Sequence, residues 1–270
     1  MMKRCLMLVA GLALLMSAAL AVAQPEQGLK KLRPLFPDYG KVVIKNYSGK
    51  KNMPPVVFDH WLHRTKFTCG LCHVDLRFGM KAGTTDIRAA DNMNGLYCGA
   101  CHNGKMRVDS RVVFNACAAD ATGDAGKTCY RCHSVGKAVS MEHNFAQITA
   151  KFPKERFGNG INWVQTEELG LIKPISRIEG VSRTGVMPVP KDFNIEPKLE
   201  GLPQIIFSHT KHAAWNGCEV CHAEIFPKVT KGITTYSMDE IFSGKYCGVC
   251  HGTVAFPNFD CQRCHVDPAQ

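Results

Sequence analysis

The stretch Phe58–His73 reads Phe-Asp-His-Trp-Leu-His-Arg-Thr-Lys-Phe-Thr-Cys-Gly-Leu-Cys-His. It holds two histidines three positions apart, His60 and His63, and ends in a Cys-x-x-Cys-His motif. This motif is typical of c-type haem attachment, in which two thiols bond the porphyrin and the adjacent histidine binds its iron. The stretch therefore predicts a fold organised around covalently bound haem.

The same motif occurs six times in the chain of 270 residues, at Cys69/Cys72/His73, Cys98/Cys101/His102, Cys129/Cys132/His133, Cys218/Cys221/His222, Cys247/Cys250/His251 and Cys261/Cys264/His265. Twelve of the 14 cysteines are used in this way, and Cys5 lies in the N-terminal segment expected to be removed, so only Cys117 remains and a disulfide scaffold is excluded. A zinc site would draw four ligands from two Cys-x-x-Cys clusters and would not need a histidine after each. The pattern predicts six covalently attached haem c groups.

The chain contains an internal repeat with an offset of 149 residues. The offset superposes His60 and His63 on His209 and His212, and Tyr97-Cys98-Gly99 on Tyr246-Cys247-Gly248. The two copies differ after their second motif, because the first carries an insertion within residues 103–128. We interpret the chain as two tandem trihaem cytochrome modules, residues 24–135 and 190–270, joined by a linker, 136–189.

Local patterns predict a mostly irregular fold with short α-helices and small β-hairpins. Extended runs at 42–44 and 56–58, and again at 192–195 and 205–207, indicate one hairpin at the start of each module. Helical patterns are short, at 87–93, 238–243 and, within the linker, 161–172. Trp163 in the last of these is interpreted as a packing residue.

Residues 1–23 are predicted to be a secretory signal peptide, with a basic start at Lys3 and Arg4, an apolar run, and Ala21-Val22-Ala23 before the cleavage site. No later segment offers the roughly 18 apolar residues that a membrane span needs. The mature protein is therefore expected in the periplasm or outside the cell.

The formal net charge of +10 would suit nucleic acid, but the haems change this interpretation. Removing Lys3 and Arg4 lowers the charge to +8. Six haems bring about −12 from their propionates and about +6 from ferric irons on dianionic porphyrins, which leaves the holoprotein at about +2. Nucleic acid is therefore not a predicted partner, whereas some lysines and arginines can steer acidic redox partners.

Function depends on whether both axial positions of each iron are filled, because a filled iron moves electrons and an open one can convert a small molecule. Five histidines lie outside the motifs: His60, His63, His143, His209 and His212. Each pair with three-residue spacing lies on one face of a turn, too close to ligate opposite faces of one haem, so we expect it to serve two neighbouring haems.

Six irons need six ligands besides the motif histidines, and the five histidines leave one ligand to be found. Met238, nine residues before Cys247, is the candidate for the third iron of the second module. A methionine can instead simply fill a gap in the core. The aligned position in the first module is Ala89, which cannot ligate. Either His143, which we favour, or Met93 would replace it, or the iron on His133 is vacant.

The order His-x-x-His-x5-Cys-x-x-Cys-His, Tyr-Cys-Gly-x-Cys-His and a third Cys-x-x-Cys-His resembles class III multihaem cytochromes c. The resemblance is strongest to the trihaem module of the cytochrome c7 family, strung in tandem as in nanowire-type cytochromes, and covers roughly 40–135 and 190–267. It implies the ligand pairs His60 with His73, His63 with His102, His209 with His222, His212 with His251, and Met238 with His265. Ala89 and the 103–128 insertion depart from the pattern, at the haem on His133.

The sequence thus predicts an exported hexahaem electron carrier without substrate chemistry of its own. Its expected partners are donor and acceptor cytochromes or membrane quinol-oxidising complexes. Two alternatives stay open: a multihaem reductase with a vacant iron on His133, and a subunit of an extracellular haem filament. Cys117 is interpreted as an inert, partly buried thiol, or else as a free thiol that joins two molecules or becomes oxidised.

Overall fold

The computed structural model describes residues 38–117, 125–182, 188–197, 201–222, 224–228, 230 and 232–266. The predicted signal peptide lies outside these residues. The described residues all belong to one compact unit of the chain. Within them, no helix has both the length and the apolar character needed to cross a bilayer.

A two-stranded antiparallel hairpin opens each module, as predicted. Strand β1 (Lys41–Ile44) pairs with β2 (Val56–Asp59), and Val43 lies opposite Val57. The β-branched residues favour this extended pairing. A second hairpin in the first module, β3 (Arg107–Val108) with β4 (Arg111–Val112), lies within the insertion and was not predicted. In the second module β5 (Phe193–Ile195) pairs with β6 (Ile205–Phe207).

The helices are short, which confirms the predicted fold class of short helices, small hairpins and much irregular chain. They are α1 (His60–Arg64), α2 (Ala89–Met93), α3 (Ala125–Cys132), α4 (Lys137–Glu142), α5 (Phe145–Ile148), α6 (Trp163–Glu168), α7 (His209–Asn216), α8 (Met238–Phe242) and α9 (Gly248–His251). The predicted helices at 87–93 and 238–243 correspond to α2 and α8.

The helix predicted over 161–172 is shorter in the structure. It begins at Trp163 because the side chain of Asn162 accepts a hydrogen bond from the backbone N–H of Gln165, at 3.1 Å. It ends before Gly170, whose positive φ of 67° takes the chain out of the helix. The apolar residues outside these limits, Ile161 and Ile172, are buried all the same.

The main apolar core lies where the first module, the predicted linker and the second module meet. Its buried members are Trp61, Ile161, Trp163 and Ile172, and the partly buried side chains packed against it include Trp215. All three tryptophans of the chain therefore lie in this cluster. Trp163 is 7% exposed, which confirms its interpretation as a packing residue.

Candidate functional site

The two histidine pairs lie on the first turns of helices that follow the hairpins directly. In the first module β2 leads straight into α1, which begins at His60. The ring of Phe58 contacts both imidazoles, with centroids 4.8 Å from His60 and 4.4 Å from His63. In the second module Phe207 lies 5.0 Å from His209 and 4.5 Å from His212. The strand end thus provides an apolar support for each pair.

In the second module the two members of the histidine pair face different attachment motifs, and in the first module His63 faces the second motif. Three of the expected ligand pairs have ring centroids 6.1 to 6.4 Å apart: His63 with His102 (6.2 Å), His212 with His251 (6.1 Å) and His209 with His222 (6.4 Å). Metal–imidazole bonds are about 2 Å long, so a metal between two opposed imidazole nitrogens needs ring centroids roughly 6 Å apart. The residues fit an iron ligated on both sides.

Hydrogen bonds to backbone carbonyls orient seven of the eleven histidines of the chain. Seven histidines bond through Nδ1, with acceptors Gly40 for His60, Phe78 for His73, Pro54 for His133, Lys191 for His209, Ser208 for His212, Phe256 for His251 and Pro203 for His265. A carbonyl oxygen only accepts, so Nδ1 carries the proton and Nε2 keeps its lone pair. This is the tautomer and the fixed ring orientation that a metal ligand requires.

Burial also keeps these rings neutral. Desolvation lowers the pKa values of His60, His63 and His251 to about 4, against an ordinary value of 6.5. It lowers the pKa values of His73 and His102 in the same direction. The imidazoles are therefore unprotonated at neutral pH, and only the unprotonated form can bind iron.

The attachment cysteines of successive motifs within a module are electrostatic neighbours. Burial raises the pKa of Cys72 to about 12 with a contribution from Cys101, and burial with a contribution from Cys132 raises that of Cys98 to about 12. The corresponding neighbours in the second module are Cys221 with Cys250 and Cys247 with Cys264. The fold thus brings the first motif of each module to the second, and the second to the third.

The third motif of each module is held against the hairpin loop of the same module. The Nδ1 atom of His133 donates to the carbonyl of Pro54 at 2.7 Å, and that of His265 donates to Pro203 at 3.2 Å. The two prolines are separated by the repeat offset of 149. Pro54 and Phe58 also repeat at this offset, as Pro203 and Phe207, and this sequence signal could have predicted both contacts.

The sixth ligand of the third haem in each module, on His133 and on His265, stays a prediction. Met238 begins α8 and is 38% exposed, whereas Met93 ends α2 and is 44% exposed. His143 follows α4, and its Nε2 lies 3.9 Å from a carboxylate oxygen of Glu142.

The glycine of each Tyr-Cys-Gly sequence explains why this sequence repeats. Gly99 packs so closely on α2 that a Cβ would lie 2.6 Å from the carbonyl carbon of Asn92. Gly248 meets Ile241 of α8 in the same way, at 2.8 Å. No side chain fits at either position, so glycine lets the second attachment motif lie directly on the preceding helix.

Comparison with known proteins now gives the family. The model for "Cytochrome c7 and related cytochrome c" matches residues 56–134 and 205–266, more than half of the chain, in one segment for each repeat. The chain belongs to this family. It is a multihaem c-type cytochrome with covalently attached haem c, its modules are arranged in tandem, and electron transfer is its function.

Solved structures give further similarities. A c7-type three-heme cytochrome domain is 36% identical over 30% of this chain and 99% of its own, with a TM-score of 0.26. The C-terminal hexaheme fragment of GSU1996 is 23% identical over 84% of this chain and 96% of its own, with a TM-score of 0.24. The dodecaheme cytochrome c GSU1996 is 23% identical over 84% and 74%, with a TM-score of 0.26. A comparison with curated proteins gives no match.

The remaining cysteine, Cys117, lies half-buried beside the attachment thiols of the first module. Burial, with a contribution from Cys129, raises its pKa, and a hydrogen bond with the Asn92 side chain opposes this rise. Because the thiolate is the reactive form, a raised pKa favours the inert interpretation of this thiol.

Proposed function

We propose that this cytochrome holds six low-spin haems and that the chain provides a ligand to each iron on both faces of the haem. After export it carries electrons between respiratory partners. The observation that carries the proposal is the 6.1 to 6.4 Å spacing of three expected histidine pairs, which suits an iron bound from both sides. The repeat extends this assignment to His60 with His73. Met238 with His265, and His143 with His133, complete the proposed set.

The proposed role follows from what the chain does to each iron. When bound, haem supplies a reversible one-electron change between Fe(III) and Fe(II). The paired imidazoles would hold the iron in both oxidation states, and Nδ1 hydrogen bonds keep the rings of His212 and His251 from turning away. A closed ligand set leaves no position at which a substrate could bind, so the arrangement favours electron transfer over catalysis.

The proposed partners are redox proteins: donor and acceptor cytochromes, or quinol-oxidising complexes of the membrane. Many lysines and arginines of the described chain are exposed, including Lys51, Lys137 and Lys228. Such charges steer an acidic partner and set the rate of encounter more than the affinity. The proposal of export rests on the predicted signal peptide, residues 1–23, and it agrees with c-type haem attachment.

Haem quantitation combined with low-temperature electron paramagnetic resonance tests the proposal. The mature chain, matured together with a c-type haem attachment system, is expected to carry six haems per polypeptide, all low-spin. A His212→Ala variant provides a positive control, because it should open one iron to carbon monoxide. Fewer than six haems, or a stoichiometric high-spin iron in the unaltered protein, would contradict the proposal, and the latter would favour the reductase with an open iron on His133.

Replacing Met238 with histidine tests the proposed ligand of the sixth haem. A thioether ligand raises the reduction potential relative to an imidazole, so Met238→His should lower one haem potential and leave the other five unchanged. A spectroelectrochemical titration measures this change. Met141→His, at a position that is 83% exposed, is the matched control and should change none. Identical titrations for the two variants would refute the assignment.

A further inference from the structure

A positively charged side chain lies at the junction of the two modules. Arg64 ends α1 of the first module, and its guanidinium carbon lies 5.2 Å from the ring centroid of Trp163 and 5.0 Å from that of Trp215. One indole comes from the predicted linker and the other from α7 of the second module. Stacking of a guanidinium between aromatic faces is favourable and orients it tightly.

The charge of Arg64 is not neutralised by an ion pair with any residue that the structure describes. Its Nε is buried and has no hydrogen-bond partner. The nearest carboxylates are already engaged, because Glu155 forms an ion pair with Arg263 and Glu167 accepts a hydrogen bond from Trp215 Nε1 at 2.7 Å. A guanidinium keeps its proton even when buried, so this site holds a fixed positive charge.

The first motif of the first module lies against the second module at this junction. Gly70, between Cys69 and Cys72, packs on the end of α7, where a Cβ would lie 2.8 Å from the carbonyl oxygen of Asn216. Such a close approach of two backbones fixes the position of the motif relative to the second module.

A second contact joins the loops that orient one haem ligand in each module. The hydroxyl of Tyr39 donates to the carbonyl of Ala255 at 2.6 Å. The residue after Tyr39 orients His60, through the carbonyl of Gly40, and the residue after Ala255 orients His251, through the carbonyl of Phe256. The loop that orients a ligand of the haem on Cys69 and Cys72 therefore contacts the loop that orients a ligand of the haem on Cys247 and Cys250.

Arg64 lies close in the fold to expected ligands of both haems. It is on α1 together with His60, and Trp215, over which its guanidinium lies, is on α7 together with His212, the expected partner of His251.

We propose that Arg64 raises the reduction potentials of the two haems at the module junction, those on Cys69/Cys72 and Cys247/Cys250. The proposal rests on the function proposed above. Reduction adds one negative charge to a haem, and a fixed cation nearby stabilises the reduced form. Charges about 10 Å apart in a protein interior change such an equilibrium on the order of tenfold, which corresponds to about 59 mV for one electron.

The test compares reduction potentials of the haem-loaded protein and its variants, with each haem assigned by NMR of the paramagnetic protein. Arg64→Gln should lower the reduction equilibrium constants of both junction haems about tenfold, which lowers their potentials. Arg64→Lys keeps the charge and should retain most of the effect. Arg88→Gln is the matched control, since Arg88 is exposed and pairs with Asp86. It should leave every potential unchanged.

A second neutral variant keeps the test decisive if Arg64→Gln fails to fold. Arg64→Met carries no charge, and its flexible side chain can fill the space between the indole rings. A neutral variant that binds its full complement of haem and shows unaltered junction potentials would overturn the role of Arg64 alone. Unaltered protein that binds no haem, or contains open irons, would overturn the proposed function instead, so the two failures are distinguishable.

Discussion

Replacing Trp163 with alanine is expected to lower the free energy of unfolding by about 3–5 kcal/mol. The side chain is 7% exposed and packs with Trp61, Ile161 and Ile172. Its Nε1 donates to Asn159 Oδ1 at 3.0 Å, and its ring also covers one face of the Arg64 guanidinium. Truncation therefore leaves a cavity and removes a contact to the buried charge. Unfolding of the haem-loaded protein in guanidinium chloride, monitored by its Soret absorbance, measures the loss in the free energy of unfolding.

Leu169→Ala is the matched control for this prediction. Leu169 lies just beyond the end of the same helix, α6, and is 61% exposed. Its truncation should change the free energy of unfolding by no more than about 0.5 kcal/mol. Equal losses for Trp163→Ala and Leu169→Ala would contradict the predicted contribution of Trp163 to the stability of the core. A normal haem content in both variants confirms that the comparison concerns packing.

Replacing Gly248 with alanine is expected to destabilise the protein by about 1–3 kcal/mol or more and to reduce haem attachment at Cys247 and Cys250. A Cβ at this position would lie 2.8 Å from the carbonyl carbon of Ile241. The obstacle is helix backbone, which cannot rotate aside as a side chain can. The attachment motif would have to move away from α8, taking both thiols with it. Mass spectrometry of the mature chain counts the haems attached.

The repeat supplies a parallel test, and the hairpin loop supplies a control. Gly99→Ala should have the same effect at Cys98 and Cys101, because Gly99 meets the carbonyl of Asn92 in the same way. Gly49→Ala should be nearly neutral, since nothing lies within 4 Å of its added Cβ. Full haem attachment in Gly99→Ala and Gly248→Ala would contradict this account of the Tyr-Cys-Gly sequence.

Features that depend on residues close together in the sequence were predicted well. The hairpins β1–β2 and β5–β6 follow from runs of β-branched and aromatic residues, and both are present. Helix α6 was predicted too long because the apolar pattern continues to Ile172, while the Asn162 cap and Gly170 set its limits. Pattern alone does not distinguish helix from buried irregular chain when both place apolar residues in the core.

Packing contacts and hydrogen bonds between residues far apart in the sequence could not be predicted from the residues involved. The segment predicted as a linker provides Ile161, Trp163 and Ile172 to the main core, yet nothing in its own sequence specifies which surfaces it packs against. The hydrogen bond from Tyr39 to Ala255 joins residues 216 positions apart. Such contacts depend on the path of the whole chain.

The sequence by itself determined the cofactor and the repeat, because covalent haem attachment requires a fixed local order of two thiols and a histidine. It also determined which histidines are available, since their number and spacing are properties of the chain alone. Only the tertiary structure decided that the rings of His63 and His102 lie 6.2 Å apart and that the Arg64 guanidinium lies over the indoles of two other segments. Ligand geometry and buried charge depend on distances between residues far apart in the chain, and folding alone sets those distances.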